Sequence, residues 1–248
     1  MRIAIAGATG LAGRKVVSAA RKAGHDVVEL SRARGVDLTG TTPLEDVLAG
    51  VDAIIDVTNP PSSLPTDRQS VTTFFEHVAS RLGDAARRAG VKRTVVLSIV
   101  GVDRTPEDDY FVAKLAHERA TVAHGPGPRV LRATQFHEFA EQSFGWGLAG
   151  DVCTVRDMPI QPVALDQVVG QLVAMATDAD PRPHVELAGP RPERLVELVR
   201  TLAEGTQAGI KVEPAPPSRQ VRDGALLPGP DAMTAGPSFA DWLAASSR

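Results

Sequence analysis

Cysteine is nearly absent. Cys153 is the only one in 248 residues, which excludes an intramolecular disulfide and a cysteine-built zinc site. Aromatic residues make up only 4%, with a single tyrosine, Tyr110, so any chemistry needing a phenol has one candidate. No apolar run approaches the ~20 residues of a membrane span. Neither charge sign dominates, and a net charge of −3 leaves no electrostatic case for nucleic acid. Metal ligands are also poorly placed. His137 and Glu138 are adjacent and point to different faces, so no metal site is expected. A first strand starting at residue 2 implies no leader peptide, and a reducing cytoplasm is the expected location. The expected partners are small molecules, with neither nucleic acid nor membrane, and the chain is a monomer or a homodimer.

A glycine-rich turn is the strongest positive signal. Residues 2–6 read as a β-strand, Gly7-Ala8-Thr9-Gly10-Leu11-Ala12-Gly13 follows at once, and residues 14–23 read as helix. Strand, G-x-x-G-x-x-G and helix form an arrangement that holds a dinucleotide pyrophosphate. Gly7 permits the tight turn, Gly10 lets the backbone approach the phosphates, and Gly13 lets the helix lie close on the strand. The helix N-terminus adds free N–H groups and a partial positive charge. Thr9, Leu11 and Ala12 complete the expected contact. A strand–turn–helix without ligand is the competing reading.

Strand and helix patterns alternate along the first half. Strands are expected at 25–30, 51–57, 94–98 and 129–132, with helices at 66–89 and 106–123. This order implies βαβ units, an α/β fold and a doubly wound parallel sheet whose strand ends share one edge. The character changes after residue 133. Residues 134–148 hold Phe136, Phe139, Phe144 and Trp146, and further strand–helix patterns cover 163–177 and 185–202. Proline and glycine crowd 214–237, and 239–245 suits a short helix. The expected organisation is a core over 1–133 and a small C-terminal, substrate-side lobe over 134–248.

Tyr110 and Lys114 are four residues apart, which places both on one face of a helix. Ser98 ends the preceding strand. Brought together, the three form an acid–base set for a carbonyl or alcohol. A nearby ammonium lowers a phenol pKa from ~10, so Tyr110 exchanges a proton with the substrate oxygen while Ser98 orients it. Lys114 also suits a coenzyme ribose. The plain alternative is a snorkelling Tyr/Lys pair on an amphipathic helix.

Together GATGLAG, LSIVGVD, YFVAK and LRATQF resemble the short-chain dehydrogenase/reductase superfamily, and more narrowly its atypical NmrA-like, NAD(P)H-binding branch. The resemblance runs over nearly the whole length and is strongest over 1–140. It implies a Rossmann core. Many proteins of that branch lack the tyrosine and act as redox-sensing regulators, whereas this chain keeps Ser98, Tyr110 and Lys114, which implies an enzyme. The asparagine of the superfamily's catalytic tetrad has no clear counterpart here, so the relay beyond Lys114 is open. The resemblance further implies that Asp37 and Leu38 touch adenine, that Thr58 and Asn59 lie beside the adenosine ribose, and that Thr134, Gln135 and Phe136 flank nicotinamide.

Coenzyme choice turns on the end of the second strand. NAD-preferring relatives place an acid there, but this chain has Ser31 followed by Arg32, with Arg34 as a second clamp. A guanidinium suits a 2′-phosphate, so NADPH is expected over NADH. Glu29 is the ribose acid if the register shifts. Phe136, His137, Phe139 and Trp146 are candidate substrate contacts, although aromatic stripes also serve cores. The expected function is NADPH-dependent reduction of a small carbonyl, quinone or similar electrophile. The competing functions are a dinucleotide-sensing regulator and a sugar-nucleotide epimerase or dehydratase.

Overall fold

The computed structural model describes residues 1–206 and 209–246. In chain order the strands are β1 (Arg2–Ala6), β2 (Asp26–Leu30), β3 (Ala53–Asp56), β4 (Arg93–Ile99), β5 (Pro128–Ala133), β6 (Leu148–Ala149), β7 (Val152–Arg156), β8 (Pro159–Ile160), β9 (His184–Ala188), β10 (Glu193–Arg194), β11 (Lys211–Ala215) and β12 (Met233–Thr234). The helices are α1 (Leu11–Lys22), α2 (Leu44–Val47), α3 (Arg68–Arg88), α4 (Asp109–His124), α5 (Glu138–Gly147), α6 (Leu165–Ala176), α7 (Leu195–Thr206), α8 (Arg219–Arg222) and α9 (Phe239–Ser246).

Among the described residues, seven strands form a parallel sheet in the order β12-β9-β5-β4-β3-β1-β2. From β1 the chain steps one way to β2 and the other way to β3 and β4. This reversal creates a switch point at the carboxyl end of β1, where open α/β sheets bind ligands. Residues Ile3–Ala6 are fully buried, as a central strand covered on both faces requires. Ala6 pairs in register with Leu30 on one side and Asp56 on the other. Gly7, Ser31 and Val57 therefore leave the sheet side by side.

The helices of the first half begin and end where side chains dictate. Asp67 caps α3 by accepting from Ser70 N at 3.0 Å, and Asp108 caps α4 by accepting from Tyr110 N at 3.0 Å. Helix α4 starts at Asp109 rather than at 106 because this cap sits at 108. The core under β1 and β3 is aliphatic, with Leu30, Leu48, Ile54, Val78 and Leu82 buried together. Phe75 of α3 packs with Val71 and Ala113. The buried face of α4 departs from this pattern, because Lys114, His117, Glu118 and Thr121 lie on it. Charged groups are almost never buried without partners, so this face marks a site or a paired network.

The described chain divides into two compact units. The first comprises residues 1–132 and 168–185, and the second 133–167 and 186–248. The expected boundary at 133/134 lies one residue away, and 168–185 returns to the first unit. In the second unit β11, β7 and β6 form a small sheet, β10 pairs with β8, and β12 pairs with β9. Residues 214–237, expected to be irregular, contain α8 and β12.

Candidate functional site

The turn after β1 is built as a cradle. Gly7 has φ +80°, and a Cβ there would meet Val57 O at 2.8 Å. A Cβ on Gly13 would lie 2.0 Å from Gly7 O, so α1 can approach the turn only through glycine. Gly10 is the N-cap of α1, with no side-chain cap and no acid in the first turn. Gly10 N donates to Gly7 O at 3.0 Å, and the intrahelical ladder starts with Arg14 N to Gly10 O at 3.1 Å. The N–H groups of Leu11, Ala12 and Gly13 precede that first bond and are left for an anion. Thr9 and Gly10 are exposed, and Arg14 Nη1 steadies the turn on Thr9 O at 2.6 Å. These residues fit a pyrophosphate.

Beside the cradle, Ser31 directly follows β2 and is the N-cap of the short turn Arg32–Arg34, which closes on Gly35 at φ +77°. Ser31 is buried and its hydroxyl has no partner. Arg32 is exposed and enters no ion pair among the described residues, but its charge helps lower the pKa of Asp37. Arg34 differs. Its Nε bonds Glu29 Oε2 at 3.1 Å, and Arg21 Nη2 bonds Glu29 Oε1 at 2.8 Å. Glu29 thus lies inside β2, opposite Ile5, engaged by two arginines that hold its carboxyl below the usual range. Asp37 Oδ1 accepts from Thr39 N at 2.9 Å and Thr39 Oγ1 at 2.8 Å, which also lowers its pKa, and Leu38 is buried in the core. In this structure Asp37 ties a turn.

Two chains of contacts run from the end of β3. In the first, exposed Asn59 accepts from Tyr110 Oη at 2.8 Å. The Tyr110 ring meets Phe75 edge-on at 6.2 Å. In the second, buried Asp56 accepts at Oδ1 from Thr58 N (2.9 Å) and Thr58 Oγ1 (2.7 Å). Its Oδ2 meets His117 Nε2 at 2.9 Å, and His117 Nδ1 meets Lys114 Nζ at 2.8 Å. Lys114 also donates to Leu97 O at 2.9 Å and lies 4.7 Å from the Phe75 ring centroid. Ser98 is buried on β4, and its hydroxyl has no partner among the described residues. Ser98, Tyr110 and Lys114 thus sit on neighbouring elements, but Tyr110 and Lys114 take separate partners.

The electrostatics follow from this geometry. Desolvation and the nearby Asp108 charge push the Tyr110 phenol up to about 12, the reverse of the lowering expected from Lys114. Lys114 has turned toward Leu97 and His117 instead of the phenol. Burial brings Lys114 down to about 8 against the pull of Asp56 and Glu118. Burial and the Lys114 charge lower the His117 pKa against the pull of Asp56. Burial works against the charge on Asp56, but the charge that His117 takes up at low pH, together with the bonds from His117 and Thr58, holds it at about 2.

These shifts set a pH dependence of stability. Asp56 is depressed from 3.8, so its contribution is complete above pH 3.8 and lost as pH falls toward about 2. His117 refuses a proton that the unfolded chain takes below 6.5, so stability also declines below that pH. Lys114 releases its proton at about 8 when folded and at 10.5 when unfolded, so its cost is relieved as pH rises through that window. Thermal melts across pH should show an acid-side decline that begins near pH 6.5 and deepens below 3.8. Lys114→Met should flatten the curve between 8 and 10.5, and a slope unchanged by the substitution would contradict the assignment.

The remaining expected contacts belong to the second unit. Thr134 Oγ1 donates to Gln161 O at 2.6 Å, and Phe136 bridges to Val163. His137 is fully buried against Phe239 and Trp242, with Nε2 meeting Pro237 O at 3.2 Å, and burial lowers its pKa. Gln135 and Phe139 are half-buried, and Trp146 is 73% exposed with its ring edge-on to Phe139. Two residues beyond the sequence expectations, Asp56 and His117, complete the Lys114 network. The signal for them was an aspartate closing an apolar strand and a histidine on the face of Tyr110 and Lys114. Among the described residues no group of three or more His, Cys, Asp or Glu side chains is arranged to hold a metal ion, and no helix is long and apolar enough to cross a membrane.

Residues 3–125, just under half of the chain, match the model of the NAD dependent epimerase/dehydratase family. No curated protein sequence matches the chain significantly. Solved structures share the fold across the whole length. MoeE5 in complex with UDP-glucose and NAD is 20% identical, with a TM-score of 0.77 and 100% of each chain covered. The NADPH-dependent quinone oxidoreductase QOR2 from Escherichia coli, complexed with NADPH, is 18% identical, with a TM-score of 0.74 and coverage of 99% of this chain and 100% of that one. UDP-N-acetylglucosamine 4-epimerase from Bacillus cereus is 17% identical, with a TM-score of 0.72 and coverage of 97% and 93%. The α/β fold with a parallel central sheet is thus of the Rossmann type that these structures share.

Proposed function

We propose that the chain is an NADPH-dependent reductase of the short-chain dehydrogenase/reductase type, from its NmrA-like branch, acting on a small carbonyl, quinone or similar electrophile. The observation that carries this reading is the glycine cradle at the carboxyl end of β1, with Ser98 near the end of β4 and Tyr110 of α4 bonded to Asn59 beyond β3. The coenzyme supplies the hydride when bound. Leu11, Ala12 and Gly13 N–H groups hold its pyrophosphate, Thr58 and Asn59 flank its adenosine ribose, and Ser31 with Arg32 takes the 2′-phosphate. On this reading Ser98, whose hydroxyl is buried without a partner, orients the substrate oxygen. Tyr110 delivers the proton. A phenol held at about 12 is protonated at neutral pH and is still more acidic than the alcohol formed when the substrate alkoxide takes its proton.

Two further observations support the NADPH preference. Arg32 enters no ion pair among the described residues, although its charge acts on Asp37, and Glu29 in β2 is engaged by Arg21 and Arg34. Arg32→Ala should raise the Kd for NADPH about 10-fold and leave NADH nearly unchanged, because a charge-assisted bond contributes about 1.5–3 kcal/mol. Wild-type protein that binds NADH as tightly as NADPH would refute the preference.

The family match and MoeE5 favour a second reading, a sugar-nucleotide enzyme. One panel separates the possibilities. Loss of the reduced-nicotinamide absorbance with quinones, aldehydes or ketones supports the reductase, whereas conversion of UDP-glucose supports the second reading. Coenzyme binding with no turnover on either set supports a dinucleotide sensor.

A further inference from the structure

The inward face of α4 carries a polar line that the proposed hydride and proton transfers do not use. Thr58, Asp56, His117 and Lys114 follow one another at hydrogen-bonding distance, from the end of β3 across to α4. Asp56, His117 and Lys114 are 1%, 0% and 4% exposed, so no water competes for these groups. One proton placement satisfies the whole line. An ammonium only donates and a carboxylate only accepts. The imidazole between them must accept at Nδ1 and donate from Nε2, which makes it the neutral Nε2–H tautomer. Phe75 stacks on the imidazole at 4.7 Å with 23° between planes and fixes its orientation. The other charge facing it, Glu118 on α4, is held by a two-pronged bond from Arg132 of β5 at 2.9 and 2.8 Å.

Two of the three Lys114 N–H bonds are therefore directed, one at Leu97 O and one at His117 Nδ1. The third has no polar partner among the described residues, and the Phe75 ring lies 4.7 Å from the same ammonium. We propose that His117, backed by Asp56, is a positioning residue that aims the Lys114 ammonium at its ligand. The nature of that ligand, a ribose hydroxyl of the coenzyme, rests on the reading given under Proposed function. The pair also supplies the support behind Lys114 for which the sequence shows no asparagine.

Nitrogen-15 NMR of the coenzyme-free wild-type protein tests the line directly. The expected result is a neutral, Nε2-protonated His117 from about pH 6 to 8, where a free imidazole would titrate. A doubly protonated ring or an Nδ1–H tautomer overturns the inference. Asp56→Asn tests the function of the line. The amide oxygen can keep both Thr58 bonds, but its NH2 faces Nε2 and drives the imidazole proton to Nδ1, against the ammonium. The expected results are an inverted tautomer and a Kd for NADPH raised about 10-fold, the size of one lost charge-assisted bond. His117→Gln, whose amide can accept from Lys114 and donate to Asp56, should hold the Kd within about 3-fold of wild type on the same scale. An Asp56→Asn protein with inverted tautomer and wild-type Kd overturns the positioning role. If wild-type protein binds neither NADPH nor NADH, the coenzyme reading fails and takes the ribose ligand with it, while the tautomer still decides whether His117 aims Lys114.

Discussion

Tyr110→Phe should lower turnover by about 10²–10⁴-fold while NADPH affinity stays within a factor of about two, the range for loss of a positioned general acid. The substitution removes only the hydroxyl. The ring remains beside Phe75 at 6.2 Å and Phe111 at 6.4 Å, and the cap from Asp108 to the Tyr110 N–H is a backbone bond that phenylalanine keeps. Asn59 loses its phenol partner but is exposed, so water replaces it. Because the proton moves only in the transition state, kcat and kcat/KM should fall together and KM should change little. Unchanged turnover in the phenylalanine variant would remove Tyr110 from the mechanism.

The glycine cradle yields the second large effect, in a pair of substitutions that separate binding from folding. A Cβ on Gly10 meets Gly7 O at 3.3 Å, a tight contact that the turn must ease by a few tenths of an ångström, so Gly10→Ala should cost far less stability than Gly13→Ala. The new methyl nevertheless stands where the coenzyme phosphates must approach the backbone. NADPH binding should weaken by about 100-fold or more, as expected when the closest approach in this turn is blocked. On Gly13 the same methyl would lie 2.0 Å from Gly7 O and 2.9 Å from Ala8 C, both backbone atoms that cannot swing aside. Gly13→Ala must push α1 off β1. Overpacking of this kind costs about 2–3 kcal/mol, or roughly 5–10 °C in melting temperature for a chain of this size, in addition to the lost binding. Melting curves and NADPH titrations on the two variants check both halves. A Gly10→Ala protein with wild-type affinity would show that no pyrophosphate crosses this turn.

The parts of this site legible in the sequence are those set by local backbone. Gly7, Gly10 and Gly13 stand out because strand, turn and helix follow within a dozen residues, and the register of Ala6 with Leu30 and Asp56 then brings Ser31 and Thr58 alongside. The four-residue spacing of Tyr110 and Lys114 correctly placed both on α4. It did not reveal where Lys114 points, because that depends on His117 on its own helix and on Leu97 and Asp56 from two strands. His117 and Asp56 are 61 residues apart, a distance no spacing rule spans. The expected acidification of Tyr110 failed for the same reason: the ammonium has partners of its own, leaving desolvation and Asp108 to act on the phenol. Arg34 read as a free clamp because its partner Glu29 lies earlier in β2, where only the strand's facing reveals the pair. The return of residues 168–185 to the first unit is likewise a tertiary choice.

The most direct measurement is an amide NMR titration of the wild-type protein with NADPH. The account predicts saturable shifts centred on the N–H groups of Leu11, Ala12 and Gly13, with smaller ones at Ser31 and Asn59. Saturation with those amides unmoved, or no saturation at millimolar coenzyme, would contradict it.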